Sequence, residues 1–136
     1  MAPVTQKILP RQMIEASVRN VYGQPDKVGQ ALIDRYYELT LREGNRASLT
    51  QRFQYRSSDA ALAGQIPQLN LPTLILWGSE DRLIPTEHGQ RFHQDIAGSQ
   101  LQVFEGLGHV PHEEDPEVTV QAVKRFLGLP PAPIKN

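Results

Sequence analysis

Cysteine is absent from the 136 residues, and that absence removes a disulfide framework, a thiolate zinc site and a cysteine nucleophile together. Excess charge of either sign is missing too. The chain sets 14 Lys and Arg against 15 Asp and Glu, a formal net charge of −1, so no basic face for phosphate backbones is expected and nucleic acid is not a predicted partner. Long apolar runs are lacking: the longest, around Leu74 to Trp77, falls far short of the roughly 18 residues a membrane span needs. The N-terminal Met-Ala-Pro-Val-Thr-Gln-Lys contains no apolar stretch of the kind a secretory signal carries. A cytoplasmic protein with no membrane partner is therefore expected. What remains, 39% hydrophobic and 21% charged, is an ordinary globular composition.

The first half reads as helical. Pro10 can open a helix with Met13, Ile14, Ser17, Val18 and Val21 on or near one stripe, stopped by Gly23. A second runs from Pro25 to about Arg42, where Val28, Leu32, Tyr36 and Leu39 recur at three- and four-residue spacing until Gly44. Asn45 can cap a third through Leu49 and Phe53. Ser57 to Asn70 is polar and turn-rich, broken by Gly64 and Pro67.

The pattern then changes. Leu71 to Gly78 is a short apolar run bounded by Pro and Gly, as in a strand buried on both faces. Thr86 can cap a helix over Glu87–Ala97, Ser99 to Phe104 gives a second strand, and Asp115 or Pro116 starts a last helix with Val120, Val123 and Leu127 in period. Strand, helix, strand, helix is a parallel βαβα unit. The expected fold class is α/β, with a helical lid segment and linker over residues 1–70, the βαβα part over 71–128 and a proline-rich, disordered tail over 129–136.

Ligand sites in parallel sheets form at the carboxyl ends of the strands. Here those ends hold Asp81 and His109. Neighbouring parallel strands lie about 4.8 Å apart, close enough for the two loops to bring a carboxylate and an imidazole into hydrogen-bonding reach. A carboxylate on one ring nitrogen fixes the tautomer and leaves the other as a base. The plainer readings are a turn or N-cap carboxylate for Asp81 and a solvated loop histidine for His109.

The run Trp77-Gly78-Ser79-Glu80-Asp81-Arg82-Leu83-Ile84-Pro85 resembles the acid loop of the α/β-hydrolase family, W-G-x-x-D-x-x-I/V-P, which follows that family's seventh strand. The run Gly108-His109-Val110-Pro111-His112-Glu113-Glu114-Asp115-Pro116 is similar to its histidine loop, G-H-x-P-x-x-E-x-P, after the eighth. The resemblance implies catalytic roles for Asp81 and His109, a loop-bracing role for Glu114, and a helical lid over residues 10 to 56. The family's nucleophile elbow, G-x-S-x-G, has no counterpart: no two of the 10 glycines stand four positions apart.

The chain is thus expected to be a C-terminal portion of a hydrolase of esters or related bonds, with a triad acid and histidine and no nucleophile, inactive alone. An incomplete sheet implies self-association or docking with an N-terminal hydrolase segment, and a small-molecule substrate once completed. The alternative is a non-catalytic binding module. A third possibility is weak activity of His109 alone or with Ser17, Ser48, Ser57, Ser58, Ser79 or Ser99, none of them in an elbow. No cofactor is expected. A metal site at His109 and His112 is disfavoured because a loop gives that spacing no fixed face, and His88 and His93, roughly 140° apart around a helix, do not converge. Tyr22, Tyr36, Tyr37, Phe53 and Tyr55 are candidates to line a lid pocket, and Trp77 is expected to pack on the helix after its strand.

Overall fold

The structure is a computed structural model, and it describes residues 10–54 and 60–130. The tail beyond Pro130 and the positions of Tyr55, Ser57 and Ser58 lie outside the described residues.

The lid segment begins with α1 (Arg11–Val21), which Pro10 precedes in extended conformation. The expected helix from Pro25 is two pieces: a 3-10 turn at Pro25–Lys27, and α2 (Gln30–Leu41). The break falls at Val28 and Gly29, both extended, so the i→i−4 ladder cannot run through. Val28 nevertheless stays in the core. It is buried with Val18, Tyr22 and Ile33, and Ile14, Val21, Leu32, Tyr36 and Val110 pack around them. Ile33, fully buried, is a core residue that the expected stripe passes by. α3 (Asn45–Gln54) follows, with the Asn45 amide donating to the Leu39 carbonyl at 2.6 Å. The segment read as turns contains α4 (Ala60–Ala63) and a 3-10 turn at Ile66–Gln68.

The second half is β1 (Leu74–Gly78), α5 (Thr86–Asp95), β2 (Gln100–Phe104), α6 (Pro111–Glu114) and α7 (Pro116–Phe126). The strands pair in parallel, Leu74 opposite Gln100 through Gly78 opposite Phe104, so both carboxyl ends open on one side. Trp77 packs as expected. Gly89 makes room for it, since a Cβ there would meet the indole at 2.8 Å, and Phe92 lies 6.5 Å away between ring centroids. Asp115 caps α7 by accepting from the Val118 N–H at 3.2 Å.

Two expectations change here. β1 is not buried on both faces: Leu74 to Trp77 are half-buried, because β2 is its one strand neighbour among the described residues. On α7 the inward side belongs to Thr119 and Ala122, while Val120, Val123 and Leu127 are exposed. Small residues let α7 approach Phe104, Leu107 and Leu76 closely, and this turns the large apolar stripe outward. No helix among the described residues is long and apolar enough to cross a membrane.

Candidate active site

Asp81 sits in the loop after β1 and His109 in the loop after β2, and their side chains meet: His109 Nδ1 lies 2.9 Å from Asp81 Oδ2. An ionised carboxylate only accepts, so Nδ1 carries the hydrogen and Nε2 is left with its lone pair. The other carboxylate oxygen, Oδ1, accepts from the Leu83 and Ile84 N–H groups, each at 2.9 Å. Asp81 is therefore both the turn carboxylate of the plain reading and the partner of the histidine. Its side chain is 4% exposed against 35% for His109. Burial by itself pushes the Asp81 carboxyl up, but the hydrogen bonds from Ile84, His109 and Leu83 and the charge of His109 together hold it below its ordinary value of 3.8.

The two loops are joined backbone to backbone. Ser79 N donates to the Phe104 carbonyl at 2.9 Å, Glu80 N to the Leu107 carbonyl at 2.8 Å, and Gly106 N to Ser79 Oγ at 2.8 Å. Ser79 is thus a brace between the loops. Trp77 Nε1 donates to the Ile84 carbonyl at 3.0 Å and fixes the far end of the acid loop.

The histidine loop is fixed from behind by two glutamates. Glu114 Oε1 accepts from Gly108 N at 2.6 Å and its Oε2 from Gly23 N at 2.9 Å, the bracing role the motif implies, extended to the lid. Glu113 Oε2 accepts the hydroxyls of Tyr36 at 2.7 Å and Tyr22 at 3.3 Å. Burial, followed by the charge and hydrogen bond of Glu113, pushes the Tyr22 hydroxyl up to about 12, and burial with the Glu113 hydrogen bond raises Tyr36 likewise. The sequence reading passed over Glu113 and Arg82. The signal was weak in both cases, because their partners lie far away along the chain.

Other candidates fall elsewhere. His112 is exposed on α6, the helical turn that stands where a loop was expected. His88 is exposed; His93, also exposed, pairs through Nδ1 with Ser99 Oγ at 2.8 Å. Ser99 is buried. Between α1, α2 and α3 lies a cavity of about 610 Å³ walled by Met13, Ile14, Val18, Tyr36, Leu39 and Leu49 among others. Among the described side chains of the candidate aromatics, Tyr36 lines it; Tyr22 belongs to the lid core, and Tyr37 lies beneath the Arg11 guanidinium.

A carboxylate in the loop after one strand, a histidine in the loop after its parallel neighbour, and a helical segment ahead of them define a class. The sequence profile described as the Alpha/beta hydrolase family matches residues 4–122, and the chain belongs to that family. It is 29% identical over 119 residues to YugF, an uncharacterized hydrolase of Bacillus subtilis, a match that takes in 88% of this chain and 43% of YugF. A Pseudomonas 2-hydroxy-6-oxononadienedioate/2-hydroxy-6-oxononatrienedioate hydrolase is 28% identical over 107 residues, 79% of this chain and 38% of the relative. Among solved structures, a meta-cleavage product hydrolase from Pseudomonas fluorescens superposes with a TM-score of 0.76 at 22% identity, over 90% of this chain and 47% of that one. The chain thus spans less than half the length of these relatives, and its sheet is an incomplete version of theirs.

Proposed function

We propose that this chain supplies the acid and base of a hydrolase active site whose nucleophile comes from outside these 136 residues. The observation that carries the reading is the bond between His109 Nδ1 and Asp81 Oδ2 at 2.9 Å, with the second carboxylate oxygen held by two backbone N–H groups. In that geometry Nε2 of His109 takes the proton from an attacking hydroxyl and returns it to the leaving group. Asp81 keeps the imidazole in one tautomer and stabilises the imidazolium that forms between the two steps. The substrate is a small organic molecule with an ester or a related hydrolysable bond. The names of the Pseudomonas relative and the Pseudomonas fluorescens structure add oxo-dienedioates and meta-cleavage products to the compounds worth assaying.

The rest of the site is to be completed by a second segment docking on the edge of β1 that pairs with no strand among the described residues and on the outward stripe of α7. Val120, Val123, Leu127 and Leu129 are all exposed there, and contiguous apolar surface of this kind marks an interaction face. The test is complementation. The part of YugF outside the matched region is fused to this chain and assayed with p-nitrophenyl acetate. Turnover that depends on both Asp81 and His109 is the expected result. Turnover unchanged in His109→Ala would overturn the reading.

A further inference from the structure

The turn that closes α1, Val21-Tyr22-Gly23, belongs to the lid segment, yet its backbone is bound by residues that flank Asp81 and His109. The His109 N–H donates to the Val21 carbonyl at 2.7 Å. Arg82, next to Asp81, donates through Nη1 to the Tyr22 carbonyl at 2.8 Å and through Nη2 to the Gly23 carbonyl at 3.1 Å. Glu114 ties Gly23 N to Gly108 N through its two oxygens. The packing leaves no slack: a Cβ on Gly23 would stand 2.8 Å from both Gly108 N and Leu107 C, and one on Gly108 would stand 2.5 Å from the Val21 carbonyl oxygen and 2.8 Å from Tyr22 C.

We infer that Arg82 is a positioning residue, which clamps the acid loop onto the Val21–Gly23 turn and so holds Asp81 in register with His109. A two-point guanidinium grip on consecutive carbonyls fixes orientation as well as distance. The acid loop's own bonds, from Leu83 and Ile84 to Asp81 Oδ1 and from Trp77 to the Ile84 carbonyl, shape the loop internally. Arg82 is the side chain that ties this loop to the turn that also receives the His109 N–H. The lid segment is thereby made part of the frame of the Asp81–His109 pair. This inference rests on the reading of that pair as the working acid and base.

The inference is tested on the bond between His109 and Asp81 itself. The experiment is NMR of the His109 Nδ1–H proton in isotope-labelled protein, assigned with His109→Gln, for wild type, Asp81→Asn, Arg82→Ala and Arg82→Lys, with melting temperatures taken on the same samples. A ring proton held against a carboxylate is deshielded and protected from exchange. Wild type is expected to show that downfield resonance and Asp81→Asn to lose it. Arg82→Ala is expected to lose it or to broaden it at temperatures where the variant is still folded. Arg82→Lys, which keeps the charge and offers one point of contact, is expected to fall between wild type and Arg82→Ala, and decides the matter if Arg82→Ala does not fold. A resonance unchanged in both Arg82 variants would overturn the inference. If the resonance is missing in wild type or survives in Asp81→Asn, it is the reading of the pair that fails.

Discussion

Gly23 of the lid segment and Gly108 of the histidine loop meet backbone to backbone, so closely that a Cβ on Gly23 would lie 2.8 Å from the Gly108 nitrogen. The contact joins the two halves of the chain at the residue before His109. Neither backbone can retreat, because Glu114 bonds both nitrogens. Gly23→Ala and Gly108→Ala are each expected to cost about 2 kcal/mol or more of stability, since the clash is with main chain and not with a flexible side chain. Denaturant melts of the two variants check this, and a loss within 0.5 kcal/mol, about what a surface substitution costs, would place the two turns further apart than described.

Asp81→Asn removes the acceptor that selects the Nδ1–H tautomer. In the complemented enzyme, kcat is expected to fall about 10³- to 10⁴-fold with KM little changed. Steady-state kinetics on a neutral ester give the split.

The same carboxylate links stability to pH. The folded-state pKa of Asp81 lies below its ordinary 3.8, so its contribution is complete above that value and is lost as pH falls through the folded pKa. The melting-temperature gap between wild type and Asp81→Asn should narrow as pH falls below about 4. A gap that widens below about pH 4 would contradict the hydrogen-bonding described for Asp81.

Tyr22 and Tyr36 behave in the opposite sense. Both phenols are raised, Tyr22 to about 12, so the stability they contribute is whole below their ordinary 10 and is lost as pH rises through the folded values. Their ionisation should lag in a tyrosinate absorbance titration. Of the two, Tyr36 makes the shorter bond to Glu113, 2.7 against 3.3 Å, and Tyr36→Phe should cost about 1 kcal/mol, more than Tyr22→Phe.

Val123→Asp tests the docking face. The position is 37% exposed on α7, so on the chain alone the change should stay within about 0.5 kcal/mol. Buried under a docking segment it would place an unpaired charge in an apolar contact. Complementation should therefore fail while the variant's own melting is nearly unchanged.

Much of the βαβα half was legible in the sequence, because local signals and tertiary demands agree there. Pro and Gly bound β1, Pro116 opens α7, and the two loops carry enough fixed residues to be recognised. One feature of the same half misled. The α7 period marked a helix, but it could not say which side faces in, and Thr119 and Ala122 took the inward position because they allow close approach. In the lid, the apolar spacing ran on through Val28 and Gly29, where the backbone is extended; burial of Val28 satisfies the pattern without a helix. Asp81 and His109 could be read from strand ends and motifs. The contacts of Arg82 with the lid turn and of Glu113 with Tyr22 and Tyr36 could not, since they depend on how the lid is set against the histidine loop, which no local spacing encodes.

The central claim is that Asp81 and His109 form the acid–base half of a hydrolase site and need a nucleophile from elsewhere. The most direct test is p-nitrophenyl acetate hydrolysis by the purified chain, by the chain fused to the part of YugF outside the matched region, and by the fused protein carrying His109→Ala. The account predicts a rate at the buffer blank for the chain alone, turnover for the fusion, and a loss of about 10³-fold or more with His109→Ala. Activity of the chain alone that survives His109→Ala, with no gain on fusion, would contradict it.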